Sequence, residues 1–123
     1  MTHAVVLFGH GSRDPLWRAP MDSVAARIAQ RSPDVAVRCA FLELQQPDLA
    51  TSVAELVLAG VTQLTVVPMF LGAGRHVRDD LPLLIDDLRR NHAGLAIELL
   101  APVGEHPLVL DLLAQIACPP VNP

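Results

Sequence analysis

The sequence predicts an α/β domain in which four parallel strands carry helices on both faces. Two observations predict it. Short apolar runs alternate with stretches of helical apolar spacing, strand then helix, four times in succession. The first run, Ala4 to Phe8, is apolar without interruption, as in a strand buried on both sides. With 123 residues, 51% of them hydrophobic, the chain is long enough to bury one core. Residues 1–117 are expected to form this single domain and 118–123 a proline-rich tail with little order.

Each element has its own signal. Strand one ends at Gly9, and Trp17, Met21, Val24 and Ile28 then recur at helical spacing behind an Asp14-Pro15 start, with Trp17 expected in the core. Pro33 stops that helix near Arg31. Strand two is expected over Val35 to Leu44, which Glu43 closes. Leu49, Val53, Leu56 and Val57 form the next helical stripe, ended by Gly60. Strand three runs from Leu64 to Phe70, with Pro68 marking the end of its ladder. A glycine-bearing loop, Leu71 to His76, leads to a helix whose start is expected at Asp79-Asp80, so that Pro82 falls in its first turn. Strand four is expected over Leu95 to Leu100 and the last helix over Leu108 to Ala117.

Composition narrows the function classes. A net charge of −4 without any basic tract offers no footprint for nucleic acid. All nine basic residues are arginines, which removes a lysine nucleophile or a phosphate-loop lysine. Cys39 and Cys118 form no metal or redox pair, and Cys39 reads as a small core residue. No run approaches the roughly 20 apolar residues of a membrane span, and the N-terminus lacks signal-peptide features. The expected location is the cytoplasm, with no membrane or nucleic-acid partner.

Open parallel sheets bind ligands beyond the carboxyl ends of their strands, near the reversal of strand order. His10 follows strand one, Glu43 closes strand two, His76 follows strand three and His106 follows strand four. His10 and His76 both stand among glycines, which allow a ligand close to the backbone. A carboxylate at the end of an apolar strand is costly to desolvate unless it is paired, which marks Glu43 as functional. His106, followed by Pro107, has two readings, a site residue or the start of the last helix. His3 and His92 fall outside this edge and read as surface residues. Two imidazoles and a carboxylate suit cobalt, nickel, iron or zinc rather than magnesium or calcium, with coordination positions left open.

Two motifs nearly fit other chemistries. Gly9-x-Gly11-x-x-Asp14 puts a carboxylate where a dinucleotide fingerprint needs its third glycine, so no nucleotide is expected. His10-Gly11 is like a hydrolase oxyanion loop, but the chain has no Gly-x-Ser-x-Gly, and Ser12 reads as a turn residue.

The chain resembles the short sirohydrochlorin chelatases, the class II tetrapyrrole chelatases, over nearly its whole length. The resemblance is carried by Gly9 to Arg13, Ala40 to Leu44 with Pro47, Val66 to Val77 with Asp80-Leu81-Pro82, and Gly104 to Pro107. It implies a chelatase-like (flavodoxin-like) domain that inserts a divalent metal, Co2+ or else Fe2+ or Ni2+, into a metal-free tetrapyrrole without ATP. It implies His10 and His76 as metal ligands and His10 as the proton acceptor. Ala73, Gly74, Arg75, His76, Val77 and Arg78, with Glu43 and Gln45, would contact the macrocycle. It also implies a homodimer that completes the site. Neutral imidazole serves as ligand or base, Glu43 can relay a proton, and Arg13, Arg75 and Arg78 can anchor the carboxylates of the tetrapyrrole. A carrier that binds the metal or the tetrapyrrole without catalysis would use the same ligands and stands as the alternative.

Overall fold

The computed structural model describes residues 2–120. The strands are β1 (His3–Gly9), β2 (Val35–Phe41), β3 (Gln63–Pro68) and β4 (Ala96–Leu99). The helices are α1 (Ala19–Arg31), α2 (Leu49–Leu58), α3 (Arg75–Asn91) and α4 (Pro107–Ala117). All strand pairings are parallel and the sheet order is β2-β1-β3-β4. The chain leaves β1 in one direction to β2 and crosses back to β3 on the other side. Strand order therefore reverses between β1 and β3, the strands that lead to His10 and His76.

Side-chain alternation along β1 divides the core. Ala4, Val6 and Phe8 face α2 and α3, packing with Leu49, Val53, Leu56, Leu81, Ile85 and Leu88. Leu7 faces the other way, with Cys39 and Phe41, and is covered by Met21, Val24 and Ile28 of α1. Cys39 is buried as expected, and that burial pushes its thiol pKa up. Helix α4 behaves differently. It packs chiefly against the short turn before it and buries none of its side chains.

Five boundaries differ from the sequence reading, three of them for a physical reason that the main chain shows. A 3-10 turn, Pro15–Arg18, precedes α1, with Asp14 capping it through Leu16 N at 2.9 Å. This turn leaves Trp17 40% exposed against Phe41 rather than in the core. Strand β2 stops at Phe41 because the chain closes on itself there, Phe41 N donating to Pro47 O at 2.9 Å. Glu43 thus lies in the loop beyond the strand. Helix α3 starts at Arg75 rather than at Asp79, since Gly74 in extended conformation accepts from Arg78 N at 3.0 Å. Pro82 then falls inside the helix, where its missing N–H leaves the Arg78 carbonyl without its usual donor. Strands β3 and β4 are each shorter than expected at their carboxyl ends. Of the proline-rich tail, residues 121–123 lie outside the described residues.

Helix α2 offers a clean stability test. Asp48 caps it by accepting from Thr51 N at 2.8 Å, and its bonds with Thr51 hold its carboxyl below the ordinary 3.8. Removing such a cap costs about 1 kcal/mol. Asp48→Ala should therefore destabilise the fold by about 1 kcal/mol in urea melts at neutral pH. A lowered pKa stabilises above the unfolded value and ceases to do so as pH falls through the folded one. The difference between variant and wild type should shrink below pH 3.8.

Candidate functional site

The site begins where β1 ends. Leu42 N donates to Gly9 O at 2.9 Å and Glu43 N to His10 O at 3.1 Å, so the β1–β2 pairing pattern continues past the strand itself. This sets Glu43 beside His10, whose Nε2 lies 3.1 Å from Glu43 Oε1. Gly11 makes the close approach possible. Its φ is +97°, and a Cβ placed on it would stand 1.8 Å from the carbonyl oxygen of Glu43. Gln45 fastens the second strand of the corner, its Oε1 accepting from Ser12 N at 3.1 Å. Ser12 Oγ in turn accepts from Asp14 N at 3.1 Å, which makes it the turn residue expected.

The pair is exposed, at 52% for the His10 side chain and 56% for that of Glu43. An ionised carboxylate only accepts, so the neutral imidazole must carry its hydrogen on Nε2. That leaves Nδ1 with a free lone pair, available to a metal ion or to a proton.

His76 enters from the other side of the strand reversal. It lies in the first turn of α3, not in the loop, and lines a cleft of about 150 Å³ with Phe8, Leu42, Val77, Asp80, Leu81 and Leu84. The first three N–H groups of α3, from Arg75, His76 and Val77, have no acceptor within the helix, and Gly74 supplies no side-chain cap. A helix start of this kind favours carboxylates. Arg75 approaches only Asp79, at 3.9 Å and largely in solvent, and Arg13 and Arg78 are exposed without an ion pair among the described residues. Ala73 and Arg78 line a further groove beside Phe70 and Pro82.

Of the sequence candidates, the fold brings His10, Glu43 and Gln45 into one bonded corner. It sets His76 apart in the cleft, joined to that corner through Leu42, the neighbour of Glu43. Among the described residues no three His, Cys, Asp or Glu side chains are grouped closely enough to cage an ion. Such a site is open and could pass an ion on. His106 is the start of the last helix: its Nδ1 accepts from Leu108 N at 3.1 Å. Sequence reading missed the apolar rim, where Leu42 is 42%, Leu44 52% and Leu71 71% exposed. The signal is present as Leu42-Glu43-Leu44, whose alternation is that of a strand. No helix among the described residues is long and apolar enough to cross a membrane.

A histidine–carboxylate pair beyond β1 at the strand reversal, with a further histidine on the first turn of α3, marks the carboxyl edge of an open-sheet α/β protein. A profile of the CbiX family matches residues 4–118. The chain belongs to the CbiX family. It is 30% identical over 121 residues to a sirohydrochlorin cobaltochelatase of Methanococcoides burtonii, covering 92% of each chain. Among solved structures it superposes on a CbiX protein of Marinobacter aquaeolei VT8 named for cobalamin (vitamin B12) biosynthesis. The TM-score there is 0.80 and the identity 36%, over 94% of this chain and 93% of that one. The sirohydrochlorin chelatase SirB of Bacillus subtilis subspecies spizizenii, solved in complex with cobalt, gives a TM-score of 0.77 at 25% identity. That match covers 94% of this chain and 49% of SirB.

Proposed function

We propose that this protein is a sirohydrochlorin chelatase, inserting a divalent metal into the tetrapyrrole without ATP, with cobalt as the leading ion. The observation that carries the reading is the His10–Glu43 pair at 3.1 Å, fixed by the main chain and open to solvent. Insertion replaces two pyrrole protons by one M2+. Once the ion has left His10 for the macrocycle, the freed Nδ1 accepts one pyrrole proton, the imidazolium gives its Nε2 proton to Glu43, and Glu43 releases it to water; water resets the tautomer and a second such cycle removes the other pyrrole proton. His76 and His10 hold the incoming ion by nitrogen, which cobalt, iron and nickel all accept. The metal is a substrate here. Arg13, Arg75 and Arg78 draw the substrate's carboxylates, assisted by the free N–H groups of α3, while Ala73, Gly74, Val77 and Gln45 edge the macrocycle. Leu42, Leu44 and Leu71 give its flat face an apolar seat.

The cleft at His76 is far too small for a macrocycle, and the His10–Glu43 pair is half in solvent. A second copy of the chain, in a homodimer, would cover the exposed pair. The setting that fits this chemistry is the cytoplasm, and no nucleotide takes part.

Anaerobic incubation with sirohydrochlorin and Co2+ tests the reading, followed by the change in absorption on metallation. Acceleration over the spontaneous rate is expected. Substrate binding without acceleration would leave a carrier instead.

A further inference from the structure

We propose that Gly104 is a positioning residue for metal capture: it clamps the chain just beyond β3, so that the loop which follows delivers His76 to a fixed place. The proposal deepens the metal-insertion reading above and rests on it.

The loop is the first observation. Met69 N donates to Phe8 O at 2.8 Å, the last bond that ties this segment to the sheet. Helix α3 begins at Arg75, where Arg78 N reaches back to Gly74 O. Between Met69 and Gly74 one main-chain bond fastens the chain among the described residues, Gly104 N donating to Phe70 O at 2.9 Å. Residues 71–73 make none among the described residues, and Leu71, Gly72 and Gly74 are exposed. A histidine carried on such a segment keeps its place only as well as the tether holds.

The second observation is how closely two main chains meet at that tether. Gly104 is buried, and a Cβ placed on it would stand 1.8 Å from the carbonyl oxygen of Leu71. Its φ is not positive, unlike that of Gly11, so the close approach alone calls for glycine here.

The clamp is braced from behind. Glu105 N donates to Pro102 O at 2.9 Å and His106 N to Val103 O at 3.1 Å, which closes a tight turn around Gly104. Prolines at 102 and 107 restrict the backbone on either side. His106 Nδ1 accepts from Leu108 N at 3.1 Å and fixes the exit into α4. The turn is held at both ends while the loop it grips is not, so bulk added at 104 displaces the loop.

In front, the clamp bears on the His76 side of the site. Phe70, whose carbonyl it holds, packs edge-on to Phe8 with ring centres 6.1 Å apart, and Phe8 lines the cleft of His76. His10 and Glu43 are set by separate bonds, Leu42 N to Gly9 O and Glu43 N to His10 O. The two halves of the site therefore answer to different glycines, Gly11 for the proton acceptor and Gly104 for His76.

Gly104→Ala in the full chain tests the proposal in two independent ways. In amide NMR spectra, the resonances of residues 70–78 should shift while those of 9–13 and 42–45 hold. Shifts confined to 101–109 overturn the proposal. In anaerobic metallation of sirohydrochlorin, the KM for Co2+ should rise about 10- to 100-fold, the loss usual when a metal ligand's support is removed. The kcat at saturating Co2+ and its pH profile should not change. An unchanged KM, or a kcat that falls with it, overturns the proposal. A wild type that accelerates nothing overturns the metal-insertion reading and the metal role with it, while the NMR comparison still decides whether Gly104 places the loop. Should Gly104→Ala fail to fold, His106 carries the test. His106→Ala removes the brace at Leu108 N and should raise the KM for Co2+ several-fold and shift the same loop resonances. His106→Asn, whose side-chain oxygen caps a helix start, should restore both. A His106→Ala protein that matches wild type, or a defect that asparagine does not restore, overturns the proposal.

Discussion

His10→Ala is expected to lower the protein-dependent rate of sirohydrochlorin metallation by about 10²- to 10⁴-fold, the range lost when a positioned base is removed. The protein should remain folded. The side chain is half in solvent and its recorded bond is to Glu43, so the fold has little to lose. Two comparisons locate the effect. Glu43→Gln keeps an acceptor for Nε2–H and hence the free Nδ1, but removes the charge that offsets the imidazolium. It should cost less than His10→Ala. Glu43→Ala frees the ring to rotate and should fall between them. The check is the initial rate of the absorption change under anaerobic conditions, with Co2+ saturating. A His10→Ala protein within about tenfold of wild type would remove His10 from the base role.

Gly11→Ala should damage both stability and activity, although the added group is a single methyl. Two costs coincide there. A φ of +97° strains any residue with a Cβ, by about 1–3 kcal/mol. The new Cβ would also stand 1.8 Å from Glu43 O, a main-chain atom that cannot swing aside like a side chain. Glu43 must move, and with it the carboxylate beside His10. A loss of about 3 kcal/mol or more is expected, on the order of 10 °C in Tm. Gly60→Ala is the control. Its φ is +96°, but nothing lies within 4 Å of the added atom. That variant should show the backbone strain alone, about 1–2 kcal/mol, and metallate at the wild-type rate. Equal losses in the two variants would show that the Glu43 contact carries no cost.

Much of this architecture was legible because the apolar positions fix it. The run Ala4 to Phe8 could only be a strand buried on both sides, and the Met21, Val24, Ile28 stripe could only cover it as a helix. Placement beyond the strand ends was legible for the same reason, since parallel order sends His10, Glu43 and the His76 segment to one edge. The failures lie where local main-chain bonding overrides pattern. Leu42-Glu43-Leu44 alternates like a strand, yet Leu44 takes φ +66° and the segment turns away, closed by the Phe41–Pro47 bond. Asp79-Asp80 looks like a helix start, but Gly74 starts the helix a turn earlier and carries His76 onto it. Apolar content alone gave no warning that α4 would leave its side chains exposed rather than packed on its own sheet.

The hydrogen bonds that run past the end of β2 have a further consequence. Leu42 and Glu43 are held by Gly9 and His10 through main-chain atoms alone, so the spacing of the reactive pair does not depend on any side chain at the rim. Residues such as Leu44, Leu71 or Arg13 can therefore vary without detuning it. Across a lineage that changes its metal or its macrocycle, the proton acceptor would stay put while the vestibule is rewritten. A pair set in the folding of the sheet also leaves little disorder for substrate to remove on arrival.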